Sequence, residues 1–271
     1  MKKILLVCLV CVLFTDWYNP EIRLTILTWN IENFGKSKTR IQLNKIAEII
    51  KEADIVAIQE VVNSTGTEKI EELVEILNES GIDWECSVSN VTNSPSDVSE
   101  KYAFLWKESK VQIVDHGRLL REMDAEIDRE PYYATFSNGK ESFTVLSIHT
   151  RPQDTIERTR EEIESLAKIP GLIVDRPTFI LGDFNMIQRD ISFNGIKSFG
   201  YKAILNEQKT SLRKSCIEGD YLSESYDNIF HSKDILIHNV EVKDYVQNCY
   251  CYDFVKSVSD HLPVKATFSL E

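Results

Sequence analysis

Apolar positions recur along the chain with two different periods. Short alternating or continuously apolar runs cover residues 22–31, 54–59, 84–89, 102–106, 111–119, 132–136, 142–149, 178–181, 226–230, 240–242 and 264–268. Their length and period predict strands. Residues 40–53 place Ile41, Ile46, Ile49 and Ile50 at roughly helical spacing. Residues 68–77 put Ile70, Leu73, Val74 and Leu77 on one helical face, with Thr67 as the cap. A charged amphipathic helix is predicted over 155–168, and Asn138-Gly139 reads as a tight hairpin turn. No low-complexity linker divides the chain. Hairpins flanked by helices predict an α+β fold, two sheets packed face to face with helices outside in a four-layer α/β/β/α sandwich.

Polar residues stand where these apolar runs end: Asn30, Glu60, His149, Asp183 with Asn185, Asp227, and Asp260 with His261. In the run ending Gly182-Asp183-Phe184-Asn185, alternation brings a carboxylate and an amide to one side of a strand end. Such a pair suits a hard cation or a phosphate. Taken singly, each residue has a plain structural use: Asp183-x-Asn185 as a turn, Asn30 as a cap, Glu60 as a solvated end, His149 as a core histidine. Together, on loops at one end of a sandwich, they can converge on one site.

The 271 residues, 42% hydrophobic and 27% charged, are enough for one large domain, residues 19–271. A net charge of -12 argues against a bulk electrostatic grip on nucleic acid, though carboxylates that hold divalent cations contribute to such a charge. Met1-Lys2-Lys3 and the apolar run 4–14 predict a secretory signal over residues 1–18, with export or a periplasmic location; an uncleaved anchor is the alternative. Beyond it lie Cys86, Cys216, Cys249 and Cys251. The expected bridge joins Cys216 to Cys249 or Cys251, against free buried thiols. His116, His231 and His238 read as structural or surface residues.

Several segments resemble the endonuclease/exonuclease/phosphatase superfamily, and most of all its deoxyribonuclease I branch. They are Thr28-Trp29-Asn30-Ile31, Ile58-Gln59-Glu60-Val61, Ser147-Ile148-His149-Thr150-Arg151-Pro152, Gly182-Asp183-Phe184-Asn185, Tyr226-Asp227-Asn228-Ile229-Phe230 and Ser259-Asp260-His261-Leu262-Pro263-Val264. Arg129-Glu130-Pro131 and Glu100-Lys101-Tyr102 are similar to that branch in particular. The resemblance implies Glu60 as principal Mg²⁺ ligand, with Asn30 and Asp260 beside it. It places Asp183, Asn185 and Asp227 around the scissile phosphate, Asp183 also at a second metal position. His149 and His261 would flank that phosphate.

The chemistry agrees with these residue types. Phosphodiester hydrolysis needs an activated water, neutralised phosphoryl oxygens and a proton for the leaving alkoxide. Histidine titrates near neutrality, and a carboxylate partner fixes its tautomer and raises its pKa. Glu100 is assigned to His149, the general acid, and Asp227 to His261, the general base. Arg129, Arg151 and Asn185 are the expected substrate contacts. Mg²⁺ is the expected cofactor, with Mn²⁺ as substitute and a structural Ca²⁺ site left open. Where the branch has a minor-groove arginine and a sugar-packing tyrosine, this chain has Val62 and Val98. The implied activity is a secreted, monomeric, metal-dependent DNA endonuclease with no protein partner. The alternative is a phosphatase or a sphingomyelinase-like phospholipid phosphodiesterase on the same fold.

Overall fold

The computed structural model describes residues 21–95, 99–152 and 156–271. Its elements in chain order are β1 (Leu24–Phe34), α1 (Arg40–Ile50), β2 (Ile55–Val61), α2 (Gly66–Asn78), β3 (Trp84–Val88), β4 (Lys101–Lys107), β5 (Gln112–Leu119), β6 (Tyr132–Ser137) and β7 (Ser142–His149). There follow α3 (Ile156–Ser165), α4 (Ile169–Leu172), β8 (Thr178–Asp183), α5 (Asn194–Ser198), β9 (Lys202–Ala203), β10 (Leu212–Ile217), β11 (Asp220–Leu222), β12 (Asp227–His231), β13 (Ile235–Val242), α6 (Tyr252–Val258) and β14 (Val264–Leu270). One sheet runs β13-β14-β1-β2-β4-β3, the other β5-β6-β7-β8-β12-β9, and β10-β11 is a separate hairpin.

Three apolar clusters separate four layers. One, with Trp29, Leu43, Ile46, Ile70 and Val258, lies between the first sheet and α1, α2 and α6. A second, with Ile26, Phe104, Phe143, Phe179 and Phe268, fills the space between the sheets. The third, with Leu146, Ile163, Ile180 and Phe193, lies under the helices of the second sheet. The fold is therefore the expected α/β/β/α sandwich.

Strand alternation inside this sandwich positions the polar residues. On β1, Leu24 and Ile26 face the second sheet while Leu27, Trp29 and Ile31 face the helices, so Asn30 falls on the inter-sheet side. The same parity applies to His149 after Val145, Asp183 after Phe179 and Leu181, and Asp227 before Ile229. Register places His149 beside Asp183 and Asp183 beside Asp227, on three adjacent strands. Gly182 permits this closeness: a Cβ there would stand 1.9 Å from the Ile148 carbonyl oxygen, and its φ is +141°.

Some expectations change. Helix α2 begins at Gly66 with Thr65 in the cap position, and the Thr67 hydroxyl instead accepts from Lys101 Nζ at 3.0 Å. The charged helix ends at Ser165 and passes through a 3-10 turn, 166–168, into α4. The hairpin β10-β11 escapes sequence periodicity because β10 is exposed over most of its length, and α6 escapes it because seven residues make only about two turns. Cys216 is bridged to Cys249, leaving Cys86 half-buried and Cys251 exposed as free thiols. The 1–18 segment and Val98 lie outside the described residues.

Candidate active site

Glu60 departs from the alternation that serves its neighbours. Val56 and Ile58 face the helices, and regular strand geometry would send Glu60 after them. Its φ of +60° breaks the pattern. A left-handed non-glycine residue carries strain of about 1–3 kcal/mol, which the surroundings must offset. Here the carboxylate gains the Asn30 side-chain amide at 3.0 Å and the Asn33 backbone amide at 3.0 Å. Asn33 and Asn185 also have positive φ, at 51° and 46°.

Asn30 links the two sheets. Its Nδ2 donates to Glu60 Oε1 and to Asp183 Oδ2, both at 3.0 Å. Asp183 Oδ1 accepts from the Asn185 backbone N–H at 2.8 Å. The two histidines approach the same Asp183 Oδ2: His149 Nε2 lies 3.7 Å away and His261 Nε2 3.6 Å. Behind each imidazole stands its own carboxylate. His149 Nδ1 is 3.0 Å from Glu100 Oε2, and His261 Nδ1 is 2.7 Å from Asp227 Oδ2. All of these except Glu60 are buried. Asp260, more open, approaches His261 Nε2 at 3.9 Å.

Burial sets the electrostatics by strengthening every pairing. It opposes the charged form of His149, as does Arg129, yet Glu100 and Asp183 prevail and hold its pKa above 6.5. At His261, burial again acts downward, but Asp227, Asp183 and Asp260 hold it well above that value. Asp183 resists burial because both imidazolium charges and two amide donors keep its carboxyl below the ordinary range.

The site also depends on residues that sequence reasoning passed over. Ser259 Oγ donates to the Asn30 carbonyl at 2.6 Å and accepts the His261 N–H at 3.0 Å. Buried Lys38 donates to the carbonyls of Ser257 and Val258 at 3.2 and 2.9 Å, fixing the segment that leads to Asp260 and His261. Thr210 Oγ1 accepts the N–H of Asp227 at 3.0 Å. Glu32, two residues beyond Asn30, has its carboxyl raised by burial and by Asp260 and Glu60. Alternation from Asn30 was the available signal for Glu32.

Two expected substrate contacts need correction. Arg129 is buried, and donates to the carbonyls of His149 at 3.0 Å and Thr150 at 2.5 Å and to Glu100 at 3.4 Å. Its guanidinium orients the Glu100–His149 pair and does not face solvent. Arg151 is ion-paired with Asp128, and its backbone N–H is held by Glu162 at 2.8 Å. Asn185 stays at the site, with its Nδ2 on the Thr150 carbonyl at 3.0 Å. His231 and His238 bond to Ser232 and Ser269, away from these residues.

The donor set fits a divalent cation. Buried Asn30 Oδ1 and Asp227 Oδ1 have no hydrogen-bond partner among the described residues, a costly state for acceptors unless something else satisfies them. Ligand atoms of Asp183, Asp227 and His261 lie within 4.8 Å of one another. Carboxylates with an amide oxygen are hard-cation ligands.

Comparison with known proteins bears on the family and the fold. The sequence profile of the Endonuclease/Exonuclease/phosphatase family matches residues 27–261. The chain is 28% identical over 265 residues to a deoxyribonuclease from Thioalkalivibrio sp. (strain K90mix), covering 90% of this chain and 71% of that one. It is 22% identical over 249 residues to deoxyribonuclease-1-like 1 of Sus scrofa, covering 84% of this chain and 74% of the relative. Among solved structures, an endonuclease/exonuclease/phosphatase family protein from Bacteroides thetaiotaomicron superposes with a TM-score of 0.68 at 16% identity, over 93% of this chain and 99% of that one. Members of this family typically depend on a divalent metal. The chain belongs to the endonuclease/exonuclease/phosphatase family of hydrolases.

Proposed function

We propose that the chain is an exported, Mg²⁺-dependent endonuclease that hydrolyses DNA phosphodiester bonds as a monomer. The observation that carries the reading is the approach of two carboxylate-backed imidazoles to one oxygen of Asp183, at 3.6 and 3.7 Å. Similarity to deoxyribonucleases supports DNA as the substrate. The basic and apolar start of the chain and the Cys216–Cys249 bridge support export.

His261, with Nδ1–H directed at Asp227, takes a proton from the attacking water at Nε2 when it is in its neutral form, which a cation held beside it would favour by opposing the imidazolium charge. His149, oriented by Glu100 and with its pKa raised by that carboxylate and Asp183, gives its proton to the leaving alkoxide. Asp183 stays ionised between them and sustains both imidazolium states. Glu60, Asn30 Oδ1, Asp260 and Asp183 would hold Mg²⁺, or Mn²⁺ in its place. A cation bound there neutralises charge on the phosphoryl oxygens.

The test is incubation of the chain with supercoiled plasmid, sphingomyelin and inositol phosphates, in Mg²⁺ and then with excess chelator. Nicked plasmid, lost on chelation, is expected. Untouched DNA alongside hydrolysed sphingomyelin or inositol phosphate would replace this reading with the phosphodiesterase or phosphatase one.

A further inference from the structure

With Arg129 and Arg151 engaged, the site needs other cations to hold a polyanion. The segment that enters the β10-β11 hairpin is paired by backbone hydrogen bonds with the catalytic loop. Ser211 bridges His261, Leu212 N–H donates to the Asp260 carbonyl at 2.7 Å, and Leu262 N–H donates to the Thr210 carbonyl at 2.6 Å. The next two residues, Arg213 and Lys214, are exposed. Facing them, α6 sends Lys256 Nζ to the Arg213 carbonyl at 2.9 Å and Tyr252 Oη to the same oxygen at 2.6 Å. The Cys216–Cys249 bridge ties the hairpin to the segment entering α6.

This rim lies at the edge of the site. Lys256 stands near the end of α6, which runs directly into Ser259, Asp260 and His261. Arg213 Nε donates to the Leu222 carbonyl at 2.9 Å and lies 3.3 Å from Asp220, in an exposed pair that water screens. Lys214 has no ion pair among the described residues. On a protein of net charge -12, three cations beside the catalytic loop complement a phosphate backbone and little else on the chain.

We propose that Arg213, Lys214 and Lys256 form a rim that holds the DNA backbone flanking the scissile phosphate on the His261 side. The proposal rests on the nuclease reading and supplies the contacts first expected of Arg129 and Arg151. It also compensates for Val62, which offers no charge to a groove.

The experiment measures binding of a fluorescent DNA duplex to the full chain carrying Glu60→Gln, which prevents turnover, across a monovalent salt series. Lys214→Glu and Lys256→Gln are then added singly to that parent. Each should weaken binding several-fold and lower the slope of log K against log salt by about 1, as loss of one phosphate contact does. Lys214 is exposed and unpaired, so its substitution leaves the fold intact, checked by the thermal midpoint. A parent that binds duplex while both variants keep its affinity and slope overturns the rim alone. A parent that does not bind, together with a wild type that leaves plasmid uncut, overturns the nuclease reading and the rim with it.

Discussion

The floor of the site and its rim solve opposite problems. On the floor, His149, His261, Asp183, Glu100 and Asp227 are buried, and each has several hydrogen-bonded or charged partners. Along the rim, Arg213 and Lys214 are exposed, and the pair that Arg213 makes with Asp220 is screened. A buried polar network fixes geometry because every unmade bond is expensive. An exposed cation fixes little but attracts at long range and is tuned by salt. On the proposed reading, the floor supplies the chemistry and the rim selects which phosphodiester arrives.

The contrast is sharpest in the floor's histidines. His149→Ala and His261→Ala should each lower kcat by on the order of 10²-fold or more, the usual contribution of a general acid or base. A variant near wild type by initial rates on plasmid would return that histidine to a structural role.

Next in size is Glu100→Gln. Glu100 helps hold the His149 pKa above 6.5, so the acid form persists to higher pH than in a free imidazole and is lost as pH rises through the raised value. With that carboxylate neutralised, burial and Arg129 act downward with less opposition. The alkaline limb of kcat/KM should move to lower pH, so that the loss in rate grows on the alkaline side of the profile. A pH–rate profile in which the limb stays in place would dissociate Glu100 from the acid.

Removing the bridge with Cys216→Ser and Cys249→Ser should lower stability by about 3–4 kcal/mol in the chain-entropy view of a loop of this span. Denaturant unfolding reads the loss, and KM for duplex DNA should rise as the hairpin loosens. The smallest effect is expected from Lys214→Glu: a several-fold rise in KM for duplex, steepest at low salt, with the loss falling on KM and little on kcat.

The same contrast explains what could be read without coordinates. Strand parity is local, so the inter-sheet placement of Asn30, His149, Asp183 and Asp227 follows from the apolar residues around each. The assignment of Glu100 to His149 came from resemblance, and the 3.0 Å contact places the two together. The turn of Glu60 into the site was not legible, because alternation sends it the other way and a positive φ leaves no mark in the sequence. Arg129 and Arg151 were misread for a different reason. An arginine near a motif looks the same whether its donors meet a phosphate or, as here, backbone carbonyls and Asp128. The rim was missed because β10 buries little apolar surface and β11 and α6 are short, so none of them shows a period.

The central claim is that the two histidines act as one unit about Asp183. A double-mutant cycle on kcat for plasmid cleavage, with His149→Ala, His261→Ala and their combination in saturating Mg²⁺, tests it most directly. Groups that act together lose most of their effect at the first deletion. The double variant should be little slower than the slower single one. A double variant slowed by the full product of the two losses would contradict the account.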